Sequence, residues 1–168
     1  GSLSENILTN LHVDSRQRVW IGTDTNGLNR LDTDTGLITR YFDPEHGLET
    51  VTDVYESGTG ALWLATFSGL VRFDPDSGAA ELFDRTAGLA NDGVVSILPD
   101  EQQHLWLSTG FGLSRFDPLS REFLNYDTQD GLPDNEIRFA RMRMSGGRLY
   151  FGGAENLLSF NPANFPAS

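Results

Sequence analysis

Short apolar runs of five or six residues, broken by Asp, Gly, Ser and Pro, recur along the chain. The runs RVWIGT, ALWLAT, HLWLST and RLYFGG place Trp20, Trp63, Trp106 and Tyr150 at intervals of 43, 43 and 44 residues. In register behind them come GLNRLD, GLVRFD, GLSRFD and NLLSFN, with Leu31, Phe73, Phe116 and Phe160 at intervals of 42, 43 and 44. An apolar stretch precedes each (ILTNLHV, VTDVYE, VVSIL and, less regularly, IRFARMRM). LITRYF, AELFD and EFLNYD follow the first three, each closing on Gly-Leu at Gly47-Leu48, Gly88-Leu89 and Gly131-Leu132. The runs have the length of strands and are rich in aromatic and β-branched residues. No stretch keeps i, i+3, i+4 apolar spacing over ten or more residues, as helical repeats require.

Four strands in a unit of about 43 residues match the blade of a β-propeller, whose repeat is about 40–45 residues. The middle runs are apolar on both faces, as expected for a sheet sandwiched between neighbours. The fold expected is therefore all-β, a propeller segment of about four blades with four antiparallel strands each. It forms a single partial domain over residues 1–168, with blades at about 6–50, 51–92, 93–136 and 137–162. In the first unit strand A is expected near Ile7 to Val13, B near Arg18 to Thr23, C near Leu28 to Asp32 and D near Leu37 to Phe42. The last unit is expected to lack its fourth strand. Between C and D, Asp74-Pro75-Asp76-Ser77-Gly78 suits a type I turn followed by a left-handed glycine.

Charge narrows the partners. The 12 basic residues are all Arg, against 24 Asp and Glu, giving a net charge of −12. Such a surface repels phosphate backbones and anionic lipid heads, so neither nucleic acid nor direct membrane contact is expected. No apolar run reaches the roughly 18–20 residues of a membrane span, and no segment at the start reads as a signal peptide. The absence of Cys excludes disulfides, thiolate nucleophiles and Cys-ligated zinc.

Catalytic chemistry finds no support in the motifs. His12, His46 and His104 fall in a strand, a D-to-A loop and an A-to-B turn, positions that do not converge on a triad or a metal. No nucleophile elbow, H-E-x-x-H motif or Lys-bearing phosphate loop occurs. Gly110-Phe111-Gly112 lacks a third glycine and joins strand to strand. Asp32-Thr33-Asp34-Thr35-Gly36 and its counterpart at 74–78 superficially resemble calcium loops but lack the downstream bidentate Glu, and read as turns. No catalytic residue, metal or cofactor is therefore expected. Arg30, Arg72 and Arg115 recur at intervals of 42 and 43 residues, either as an anion-binding ladder or with stems packed on aromatics and heads paired to carboxylates.

Ligand chemistry is sought at the loops instead. Because successive strands reverse direction, the B-to-C and D-to-A loops share one end, which gathers Asp24, Asn26, Glu49, Asp92 and Asn156 with nine binding candidates. The candidates are His46, Phe67, Arg85, Asn91, Phe111, Asn135, Glu136, Arg138 and Glu155. Aromatics beside amides, Arg and carboxylates suit a carbohydrate or other small polar ligand, by stacking and by hydrogen bonds to hydroxyls. The competing reading is that they are ordinary polar loop residues.

The repeated pattern, [LV]W[IL].T followed by GL.R[FL]D and closing on an aromatic plus Gly-Leu, resembles the two-component regulator propeller repeat over about residues 3 to 162. That resemblance implies the periplasmic or extracellular sensor of a hybrid two-component system, usually two seven-bladed propellers, an immunoglobulin-like domain, a membrane helix and a histidine kinase. DGLPDNEIRF and GGRLYFGGAENLLSFNP look like the final blade before the immunoglobulin-like domain. Blade four departs from the pattern by carrying Tyr150 for Trp, Asn156 for Gly and Ser159 for Arg. The expected function is a non-catalytic sensing or interaction segment. The alternatives are a propeller enzyme similar to the lyases acting on streptogramins, which would use His46, and a scaffold that binds protein.

Four blades in place of seven would leave blade faces and strand edges open, which promotes association. Light scattering over a concentration series is expected to give a molar mass at or above twice the 18.6 kDa of one chain. A mass that stays at 18.6 kDa at high concentration contradicts this.

Overall fold

The computed structural model describes residues 7–133, 135, 137–143, 146–153 and 156–164. The chain divides into two compact units, residues 1–83 and 84–168. The first unit holds β1 (Leu8–Val13), β2 (Val19–Thr23), β3 (Leu28–Leu31), β4 (Ile38–Tyr41), β5 (Val51–Glu56), β6 (Leu62–Thr66), β7 (Gly69–Phe73) and β8 (Ala80–Phe83). They pair antiparallel as two meanders, β1-β2-β3-β4 and β5-β6-β7-β8. The second unit holds β9 (Val94–Pro99), β10 (Leu105–Thr109), β11 (Leu113–Asp117), β12 (Glu122–Tyr126), β13 (Ile137–Arg143), β14 (Leu149–Gly153) and β15 (Leu157–Phe160). Its sheets run β9-β10-β11-β12 and β13-β14-β15, the last with three strands. The fold is thus the all-β propeller segment expected from the period, and the first four strands begin and end within one residue of their expected bounds.

Each unit is held by an aromatic trio that the repeat builds twice. Trp20, at the middle of the first sheet, packs at 5.7 Å from Tyr41 of its own outer strand and 5.6 Å from Phe73 of the neighbouring sheet. Trp106 does the same, 5.5 Å from Tyr126 and 4.8 Å from Phe160. Both indoles are fully buried. The surrounding core is Leu28, Val51, Leu64 and Val71 in one unit, and Leu113, Leu149 and Phe151 in the other. Each such ring removes about 150–250 Å² from water, which contributes on the order of 4–6 kcal/mol at about 25 cal/mol per Å².

A buried indole carries an N–H that needs an acceptor. Trp20 donates to Asp14 Oδ2 at 2.9 Å and Trp106 to Asp100 Oδ2 at 3.0 Å. The other oxygen of each carboxylate closes the A-to-B turn. Asp14 Oδ1 accepts from the backbone N–H groups of Arg16 and Arg18, and Asp100 Oδ1 from those of Gln102 and His104. Gln17 and Gln103 sit at the tips with φ of 62° and 66°, where the second unit of the repeat carries Gly60 at 82°. In that unit Ser57 replaces the aspartate and bonds instead across its own turn to the Ala61 carbonyl.

Carboxylates and hydroxyls also link sheet to sheet in the first unit. Thr9 Oγ1 donates to the Val51 carbonyl, Asn10 Nδ2 to Asp53 Oδ1 at 3.1 Å, and Ser15 Oγ to Glu56 at 2.6 Å. Asp76, on the C-to-D turn of the second sheet, receives Arg16 at 2.8 Å and Arg18 at 2.9 Å. The C-to-D turns are Asx turns, in which Asp32, Asp74 and Asp117 accept from the backbone two residues on.

Burial opposes ionisation of Asp14, but hydrogen bonds from the Trp20 indole and from the Arg18 amide and guanidinium outweigh it and hold the carboxyl below the ordinary aspartate value. Hydrogen bonds from Arg18 and Arg16 lower Asp76 likewise. A depressed native pKa contributes stability that is present above the unfolded value of about 3.9 and is lost as pH falls through the native value. The urea midpoint is therefore expected to hold between neutrality and about pH 5 and to fall below about pH 4. Asp14→Asn is expected to cost about 2–4 kcal/mol at pH 7 and to flatten that acid limb. An unchanged midpoint would show that the turn stands without this carboxylate.

Candidate functional site

Three threonines at the ends of the B strands shape the B-to-C loops. Thr23, Thr66 and Thr109 are fully buried, and their hydroxyls donate to the carbonyls of Gly27, Gly69 and Gly112 at 2.8, 2.9 and 3.2 Å. Each hydroxyl also accepts a loop N–H, from Asn26, Ser68 or Phe111. At Gly27 and Gly112 the φ is positive, and an added Cβ would lie 2.2 Å from the carbonyl of Tyr41 or Tyr126, so a glycine is required at both. The D-to-A connection approaches the same loops: Gly27 N–H donates to the Glu49 carbonyl and Gly112 N–H to the Asn135 carbonyl, both at 2.7 Å. Strand A is bulged next to these loops in all four sheets, at Leu8/Asn10, Val51/Asp53, Ser108/Thr109 and Ile137/Arg141 in the pairing registers. Bulges re-aim side chains at sheet ends.

In the first unit these devices hold Phe67 at the tip of the β6–β7 turn with its ring 54% exposed. Asp24 and Asn26 lie on the β2–β3 loop, half-buried. His46 ends the 3-10 turn Pro44–His46, exposed, with Nδ1 2.7 Å from Asp43 Oδ2. That turn is capped by Asp43 at its start and by left-handed Gly47 at its end, and Leu48 then plunges into the core.

In the second unit Phe111 is the exposed counterpart, 51% accessible at the tip of the β10–β11 loop. Asn91 is half-buried, and its Oδ1 accepts from Gly93 N–H at 2.9 Å. Arg85 opens the 3-10 turn Arg85–Ala87, and its backbone N–H donates to Asp92 Oδ1 at 2.8 Å. One repeat later Thr128 N–H donates to Asn135 Oδ1 at 2.9 Å. Asp92 and Asn135 therefore fasten one end of the D-to-A connection to the other. Asn156 is exposed, and its carbonyl accepts from Gly153 N–H at 2.7 Å. Arg138 lies on β13, its side chain outside the described residues, as are Glu136 and Glu155.

The histidines have separate settings. His12 is half-buried on β1, and His104 Nδ1 lies 3.0 Å from Asp100 Oδ2 in its A-to-B turn, in the register that Arg18 fills in the first sheet. Among the described residues no three His, Asp or Glu side chains gather to hold a metal ion. Hydrogen bonds from the turn backbone hold Asp32, Asp74 and Asp117 below the ordinary carboxylate value, so these are ionised turn residues. Arg30, Arg72 and Arg115 stand directly across from Trp20, Trp63 and Trp106 in the sheets.

No protein-family model matches the chain. The curated histidine kinase P4 of Formosa agariphila is 30% identical over 96% of this chain, which spans 12% of that protein's length. Among solved structures, the extracellular domain of a hybrid two-component system from B. thetaiotaomicron superposes with a TM-score of 0.87 at 31% identity, covering 96% of this chain and 22% of that one. Virginiamycin B lyase from Staphylococcus aureus shares the fold alone, at 16% identity, a TM-score of 0.70 and 58% coverage of its chain. No helix among the described residues is long and apolar enough to cross a membrane.

The loop residues divide into fasteners and exposed rings, and urea titration separates them. Asn135→Ala is expected to cost about 1 kcal/mol, by leaving the Thr128 amide without its acceptor. Phe111→Ala, at an exposed tip, is expected to stay within about 0.5 kcal/mol of the parent. Equal losses in the two variants would refute the division.

Proposed function

Because the chain belongs to the propeller repeats of two-component sensor regions, we propose that it is a non-catalytic, ligand-sensing segment of an extracytoplasmic sensor. The match to the extracellular domain of a hybrid two-component system over 96% of the chain carries the reading. Each unit presents its own ligand end of B-to-C and D-to-A loops. In the first, Phe67 supplies a ring for stacking and His46 a polar partner for hydroxyl groups; in the second, Phe111 supplies the ring and Asn91, Asn135 and Arg85 the donors. A small saccharide fits such a surface better than a nucleic acid or an anionic lipid does, given the net charge of −12. To signal, the ligand must bind one packing arrangement of the whole sensor more tightly than another, since equal affinity for the two shifts nothing.

A lyase is the competing reading, favoured by the His46–Asp43 pair, which has the geometry of an oriented base. It needs in addition an acid and a substrate pocket converging on His46. Sensing is tested by titrating the protein with neutral xylo-, cello- and laminari-oligosaccharides. Saturable binding to one of them is expected, weakened about three- to tenfold in Phe67→Ala or Phe111→Ala. Binding that ignores both rings, or binding confined to another protein domain, would move the assignment to the scaffold. Turnover abolished by His46→Ala would move it to the lyase.

A further inference from the structure

Away from these loops, the outer edge of the third sheet carries an open cavity of about 480 Å³, within the size range of small-molecule sites. Arg115, Arg121, Phe123 and Ala87 line it, with Asp117 and Glu122 beside them. β12 is the sheet's edge strand, paired only with β11.

One departure from the repeat lies here. The equivalents of Arg121 in the first two sheets are Gly36 and Gly78, at φ of 67° and 78°, yet Arg121 keeps the same left-handed conformation at 64°. A side chain is strained there, and departures from a local rule concentrate at functional sites. Across the strands Arg30 faces Thr39, Arg72 faces Glu81 and Arg115 faces Leu124, so the third guanidinium has an apolar residue opposite it. Arg115 makes no ion pair among the described residues. The third sheet thus sets a second guanidinium, Arg121, beside Arg115 on the same cavity, in a chain with only 12 basic residues.

Guanidinium forks match carboxylates. The nearby carboxylates of Glu122 and Asp117 disfavour a multiply charged anion and call for hydrogen-bond donors on the ligand. Hydrogen bonds from the Leu119 amide and the Ser120 hydroxyl hold Asp117 ionised. We propose that this cavity binds a small hydroxycarboxylate. Arg115 and Arg121 take its carboxylate, Glu122 and Asp117 take its hydroxyls, and Phe123 and Ala87 form the apolar wall. This is a second site, independent of the loop end.

Calorimetric titration at constant ionic strength with sodium gluconate, acetate and inorganic phosphate tests it. Saturable gluconate binding is expected, at least about tenfold tighter than acetate or phosphate. Arg121→Gly restores the residue of the other sheets and is expected to leave the melting temperature unchanged or raised while weakening gluconate about tenfold or more. Arg115→Gln should weaken it similarly, and Phe111→Ala should not. No gluconate binding up to the millimolar range, phosphate binding as tight as gluconate, or unchanged affinity in the well-folded Arg121→Gly variant would each overturn the proposal.

Discussion

The indole N–H of a fully buried tryptophan has to find an acceptor, and the way Trp20 and Trp106 find theirs organises the rest of the molecule. The acceptor is a carboxylate six residues earlier, itself buried, which is tolerable only because two backbone amides and a side-chain cation or imidazole share it. One interaction thereby joins the centre of a blade to its hairpin turn. It fixes the register of strands A and B, and with it the face on which every later side chain of the repeat falls. The aromatic trio around each tryptophan then couples that blade to its neighbour within the unit.

The second unit of the repeat shows how far the arrangement bends. With Ser57 at the turn, the carboxylate bridge is gone, and Trp63 is buried beside Phe83 instead. Around it every residue of β6 is buried, as every residue of β10 is around Trp106. The polar links of this unit move outward, to Ser15 with Glu56 and to Arg16 and Arg18 with Asp76.

At the loop end the same economy of polar groups separates binding residues from structural ones. Carbonyls and amides of a tight loop must be satisfied before side chains are free to meet a ligand. Thr23, Thr66 and Thr109 do this for the B-to-C loops, and Asp92 and Asn135 for the D-to-A connections. The rings of Phe67 and Phe111 are left on fastened loops, which lowers the entropy lost when they are covered. The outer cavity is built differently, from side chains on a regular strand pair and on the turn between them, where Arg121 stands in place of the repeat's glycine.

Much of this was legible in the sequence because a repeat is its own alignment. The Trp spacing, the Gly-Leu closures and the Asp-Pro turns established the strand number, the strand order within a blade and the place of the C-to-D turns. The resemblance carried by those motifs pointed to sensor regions. The signal for the threonine latches was also present, as Thr at the end of WIGT, WLAT and WLST, but a hydroxyl's partner is set by a loop's path and not by spacing. The 3-10 turns between blades were marked by the recurring Asp43, Asp84 and Asp127 ahead of Gly47, Gly88 and Gly131, though only the Gly-Leu closures were read, whereas the four strand-A bulges left no periodic mark, since each is one local change of dihedral angle. Asn91 and Asn135 read as ligand amides until the backbone N–H groups that occupy their oxygens came into view. The sequence by itself determined the repeat, its strands and its buried aromatics, because hydrophobic period and turn chemistry are local properties. Only the tertiary structure decided which polar residues are spent on the chain's own backbone and which face outward, because that depends on groups brought together from distant positions.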